Sequence, residues 1–168
     1  KVTKVFHNAM YDVCWIRAAT EKMVKGPIVD TMIAASVIDE NRMRYSLDSL
    51  AKDYLNDSKY KHDLADKALD EHGISDPMLN MHKLPWSLVK DYAEQDVNLT
   101  LRLWNKFEKI IKTPVETESK SKKTLENIFN LETRLFPCLV DMRFKGVRID
   151  KKKAETLGKD LEKRKERI

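Results

Sequence analysis

Two short stretches of this 168-residue chain carry side chains that could do chemistry. In Asn8-Ala9-Met10-Tyr11-Asp12 an amide and a carboxylate stand four residues apart, one residue beyond the apolar pair Val5-Phe6. In Tyr92-Ala93-Glu94-Gln95-Asp96 a phenol and a carboxylate share that spacing. Around the second pair, Val89, Tyr92, Ala93, Val97, Thr100, Leu103, Trp104, Phe107 and Ile110 recur at intervals of three and four, the period of an amphipathic helix. Asp96 falls on that stripe one turn after Tyr92, so the two side chains project to the same side. A carboxylate on a core-facing stripe is costly unless it is paired or metal-bound. Two readings therefore stand: a Tyr92–Asp96 hydrogen bond at the edge of the stripe, or a carboxylate serving a metal. Asp12 and Asn8 have plain explanations of their own. An acid in the first turn of a helix complements its dipole, and Asn suits a turn.

The elements that must position these residues are legible in outline. Val2 to Phe6 is short and β-branched and predicts a strand. Met10 to Glu21 predicts a helix, broken by Gly26-Pro27. Ile28-Val29 is a brief strand. Asp30 can cap a helix over 31–38 and Ser46 one over 47–55. Ser58 to His72 predicts a polar helix ended by Gly73. Pro85 suits the first position of the long helix that follows, to about Ile111. Thr113-Pro114 ends that helix, and 116–123 reads as a charged linker. From Thr124, the apolar positions Leu125, Ile128, Phe129, Leu131, Leu135, Leu139 and Met142 give a further amphipathic helix, stopped by Gly146. Val147-Arg148-Ile149 is an extended piece, and Asp150 caps a last helix with few apolar anchors.

Composition bounds the reading. Hydrophobic residues make up 42% and charged residues 35%, as in a globular protein with a highly charged surface. No apolar run approaches the ~18 residues of a membrane span. Cys14 and Cys138 form no CxxC pair, which points to free thiols in a reducing, intracellular and cytoplasmic setting. The stretch from Arg143 onward carries a net +6 against +5 for the whole chain, so the basic character belongs to the tail. A basic tail fits nucleic acid or a solvated helix face equally well. The four histidines (His7, His62, His72, His82) match no metal-ligand pattern.

Taken together, the two motifs resemble the second and third motifs of the DnaQ-like 3′–5′ exonucleases, and most closely the proofreading domain of family A DNA polymerases of the polymerase I and phage type. Asp30-Thr31-Met32-Ile33-Ala34-Ala35 and the stretch from Ser46 to Leu55 resemble the helices between those motifs. Leu131-Glu132 to Pro137, then Met142 and Gly146-Val147-Arg148-Ile149-Asp150, resemble the passage from exonuclease to polymerase. The resemblance implies an α/β, ribonuclease H-like exonuclease fold, truncated and mostly helical in its remainder, followed by an all-α extension. It divides the chain into a partial exonuclease domain over 1–115, a linker over 116–123 and the start of a polymerase domain over 124–168.

It also implies phosphodiester hydrolysis at the 3′ end of DNA with two divalent ions, Mg²⁺ or Mn²⁺. Asp96 and Asp12 would be metal ligands. Tyr92 would orient the attacking water, and Asn8 would seat the terminal nucleotide. Phe6, Met10 and Tyr11 would line the single-strand path or pack in the core. The implied partners are single-stranded and primer–template DNA and the rest of a polymerase chain, in a monomer. The family's first motif, Asp-x-Glu on a leading strand, does not occur here, so the chain is expected to be a fragment without nuclease activity of its own. The competing readings are an RNase D-like or helicase-associated exonuclease, and a non-catalytic nucleic-acid-binding module.

Overall fold

The computed structural model describes residues 2–57, 61–116 and 122–166. Strand β1, Lys4–Phe6, is followed by helix α1, Ala9–Thr20, and strand β2, Ile28–Asp30. β1 and β2 pair in parallel, with Lys4 opposite Ile28, Val5 opposite Val29 and Phe6 opposite Asp30. Parallel strands need a crossover, and α1 supplies it. The backbone turns back to β2 through Gly26, whose φ of 94° an L side chain rarely adopts.

Helix α2, Thr31–Ile38, starts directly after β2. Helix α3, Leu47–Leu55, is capped by Ser46, whose hydroxyl accepts from Ser49 N–H at 3.3 Å. Helix α4, Lys61–His72, ends at Gly73 as expected; the predicted start of this helix at Ser58 lies outside the described residues. A 3-10 turn, Met81–Lys83, which the sequence did not announce, leads to α5, Trp86–Lys112. Pro85 is the cap of α5 rather than its first helical residue: its ψ of 148° is extended, and its carbonyl receives Leu88 N–H at 3.1 Å.

The main core joins α2, α3 and α5. Ala34 and Ala35 allow close approach of α2, while Leu50, Leu99, Leu103, Phe107 and Ile111 fill the interior. Tyr54 meets Phe107 edge-on with ring centroids 4.8 Å apart, a favoured aromatic geometry. The buried face of α5 is rotated from the predicted stripe. Leu99 and Ile111 are inside, whereas Val97 is 70% exposed. A smaller cluster of Leu64, Ala68 and Leu84 packs against Val89 and Tyr92.

The stretch expected to be a linker lies outside the described residues over 117–121. Its flanks form a small antiparallel pair, β3 (Val115–Glu116) with β4 (Lys122–Lys123). Helix α6, Glu126–Lys145, contains Pro137, and α7, Lys151–Lys165, is capped by Asp150. Between them Val147–Ile149 belongs to no strand among the described residues. Contacts divide the chain into Lys1–Phe136, which holds both clusters, and Pro137–Ile168, in which every described residue of α7 is exposed. The architecture is thus α/β and mostly helical, with a two-stranded parallel sheet. No helix among the described residues is long and apolar enough to cross a membrane.

Candidate active site

β1 ends at Phe6 and α1 begins at Ala9, so His7 and Asn8 make the corner between them. Asn8 is left-handed, with φ 62° and ψ 53°, a conformation Asn tolerates better than most residues. Its side chain makes no capping bond to α1. The orphan amides of that helix start go instead to Asp30. Oδ1 of Asp30 accepts from Asn8 N–H at 2.9 Å and from Met32 N–H at 2.8 Å, and Oδ2 accepts from Ala9 N–H at 2.7 Å. One carboxylate, 6% exposed, caps both α1 and α2. Beside it the buried Thr31 hydroxyl donates to the Phe6 carbonyl at 3.1 Å and lies 2.9 Å from Nδ1 of His7. A hydroxyl has one proton to give, so His7 Nδ1 carries the proton of this second bond.

The corner opens onto a cleft of about 760 Å³. Phe6, His7 and Asn8 reach it from the corner, Asp12 from the first turn of α1, Ser46 and Asp48 from the start of α3, and Asp96, Val97 and Thr100 from α5. Asn8, Asp12 and Asp96, separated by up to 88 positions in sequence, therefore share one cavity. The Asp12 carboxyl is held above its usual range. Burial is the main cause, a hydrogen bond to its own backbone opposes the rise, and the nearby Asp30 charge adds to it.

The other sequence candidates lie elsewhere. Tyr92 lines a separate cavity of about 620 Å³ beside α4, with its hydroxyl 3.9 Å from Met78 Sδ. Met10 accepts a weak contact from Cys14 Sγ at 3.8 Å. Tyr11 is 57% exposed and lies edge-on to Trp15, with ring centroids 6.3 Å apart. Sequence reasoning missed His7, Asp48 and the second task of Asp30. A Ser-Leu-Asp at a helix start carries a hint of Asp48. Nothing local shows that β2 will bring Asp30 beside Asn8.

Asp12, Asp48 and Asp96 offer hard oxygen donors of the kind Mg²⁺ and Mn²⁺ prefer. They do not converge: among the described residues no three His, Cys, Asp or Glu side chains are placed to hold one ion. The donor set is right in kind, but among the described residues it is incomplete in number.

A family model described as 3′–5′ exonuclease matches residues 1–112, and the chain belongs to that family. Among characterised proteins it is 34% identical over 161 residues to the DNA polymerase DpoZ of Acinetobacter phage SH-Ab 15497, covering 94% of this chain and 24% of the phage protein. It is 33% identical over 169 residues to DpoZ of Vibrio phage phiVC8, covering 92% and 25%. It is 32% identical over 116 residues to DNA polymerase I of Pseudomonas aeruginosa, covering 66% and 12%. The chain thus spans about a quarter of the length of these phage relatives.

Proposed function

We propose that this chain is the proofreading part of a family A DNA polymerase and that its cleft receives the single-stranded 3′ end of DNA for hydrolysis of the terminal phosphodiester. The observation that supports this reading most directly is the meeting of Asn8, Asp12 and Asp96 in one cavity, although they come from a strand–helix corner, a first helical turn and a long helix. In this reading Asn8 seats the terminal nucleotide, Phe6 lines its path, and Asp12 and Asp96 contribute carboxylates to a divalent-metal centre. The remaining ligands come from elsewhere in a longer polymerase. Tyr92, one turn before Asp96 on α5, orients the attacking water. That role requires its phenol to turn from Met78 towards the cleft. Residues 1–115 form the exonuclease part, and 124–168 lead into the polymerase part.

The test is hydrolysis of a 3′-labelled single-stranded oligodeoxynucleotide in Mg²⁺, by the full polymerase and by residues 1–168 alone. The full protein should trim the 3′ end and lose that activity on Asp96→Ala. The 168-residue chain should not trim it. Strong Mg²⁺-dependent trimming by the chain alone, abolished by Asp96→Ala, would overturn the idea that its metal site is partial. Tight, EDTA-insensitive binding with no cleavage by the full protein would replace the nuclease reading with a binding module.

A further inference from the structure

Locally, the corner that carries Asn8 into the cleft is closed by Tyr11 N–H donating to the Asn8 carbonyl at 2.9 Å; its side-chain anchors come from further along the chain. Asn8 adopts a left-handed conformation, and its side chain does not cap α1. The bond to the Asn8 amide comes from 22 residues further along the chain. Asp30 takes the amides of Asn8 and Ala9; Thr31 takes the carbonyl of Phe6 and the ring of His7. Two adjacent buried side chains thereby engage four consecutive residues, 6 to 9. Capping α2 requires only the bond to Met32. The other bonds all run to the corner.

Neither Asp30 nor Thr31 lines the cleft, whereas His7, Asn8 and Asp12 do. Thr31 therefore acts on the site through the corner, and Asp30 acts through the corner, through its charge near Asp12 and through its cap on α2, whose Met32 lines the cleft. The Asn8 and Ala9 amides set where α1 begins and which way it points, and Asp12 follows one turn later. A bond from a buried carboxylate to an amide is among the stronger hydrogen bonds, and at the buried Ala9 neither partner has water to turn to. Parallel register makes the arrangement possible, because Phe6 lies opposite Asp30.

We propose that Asp30 and Thr31 are positioning residues of the exonuclease site: a clamp on the β1–α1 corner that aims Asn8 and Asp12 into the cleft. The proposal rests on the nuclease reading above for its functional meaning, and on the corner geometry for its structural content.

The experiment uses the full polymerase and single-turnover removal of the 3′-terminal nucleotide from a single-stranded oligodeoxynucleotide in Mg²⁺. Thr31→Val removes the hydroxyl, Thr31→Ser keeps it, and Asp30→Asn turns one acceptor into a donor facing an N–H. Thr31→Val and Asp30→Asn should lower the saturating rate about tenfold or more, since small misplacements at a reacting centre are costly, while Thr31→Ser stays within about threefold. Leu50→Val, in the core away from the corner, should lower Tm comparably and leave the rate unchanged. A wild-type rate in both Thr31→Val and Asp30→Asn would overturn the proposal. So would an equal rate loss in Leu50→Val at matched Tm.

Amide hydrogen exchange on the same proteins gives a readout independent of activity. In Asp30→Asn the Asn8 and Ala9 amides should lose protection while that of Leu103, deep in α5, keeps it. Unchanged protection at Asn8 and Ala9 would sink the clamp even if the rate fell. If the wild-type protein cuts no DNA, the nuclease reading fails by itself, and exchange alone then decides whether Asp30 holds the corner.

Discussion

Burial and the neighbouring Asp30 carboxylate both oppose charge on Asp12, so this side chain keeps its proton to a higher pH in the folded chain than the ordinary 3.8. Between those two values the folded state binds more protons than the unfolded state, and stability falls as pH rises through the window. The contribution is fully present below 3.8 and gone above the folded value. Asp12→Asn should remove this dependence and stabilise the chain at neutral pH by a few tenths of a kcal/mol, about the scale of a partly exposed charge interaction. Urea unfolding of both proteins from about pH 3 to pH 7 brackets the carboxylate range and measures it. The sign matters, because a charged residue kept for structure would lose stability on the same change. Tyr92 offers a second test at this scale. If its phenol orients the attacking water, Tyr92→Phe should slow 3′-end hydrolysis by about a hundredfold, within the range of a positioned proton-handling group, with Tm unchanged. If Tyr92 only packs against the Leu64 cluster, the rate stays at the wild-type value.

Among the elements, the helices and their ends were the most legible part of the sequence. Ser46 and Asp150 cap α3 and α7 as their residue types suggested, and Gly73 and Gly146 follow the ends of α4 and α6 with φ of 66° and 68°. These signals are local and survive without knowledge of neighbours. The face of α5 was not legible in the same way. Val97 fits the three-and-four spacing as well as Leu99 does, and only the docking of α2 and α3 decides between them. Leu99→Ala should cost about 2–4 kcal/mol in urea unfolding, as core truncations do, whereas Val97→Ala should cost less than about 0.5 kcal/mol. Equal losses would mean that α5 presents a different face to the core. The candidate site divides along the same line. Asn8, Asp12 and Asp96 could be named from motif spacing, but their meeting in one cleft, the presence of Asp48 there and the double cap by Asp30 depend on strand pairing, which no short window of sequence contains.

At the scale of the whole molecule, every residue of the cleft belongs to the compact unit that ends at Phe136. On the proposed function, trimming and synthesis are therefore separable. Asp96→Ala in the full polymerase should abolish removal of a mismatched 3′ nucleotide and leave primer extension on a matched template within about twofold, as expected for distant sites that act independently. A parallel loss of extension would show that the carboxylate serves the folding of the entire protein. The same compact unit has an order of assembly written into it. Helices α1 and α2 close through contacts a few residues apart and can form within microseconds. The Asp30 bonds to Asn8 and Ala9 span 22 and 21 residues, and they form only once β1 and β2 have found their parallel register. The amides of Asn8 and Ala9 should thus be among the last to become protected when refolding is followed by pulse labelling. The chain would pass through a state that is already helical and compact, with the reacting groups present but not yet facing one another.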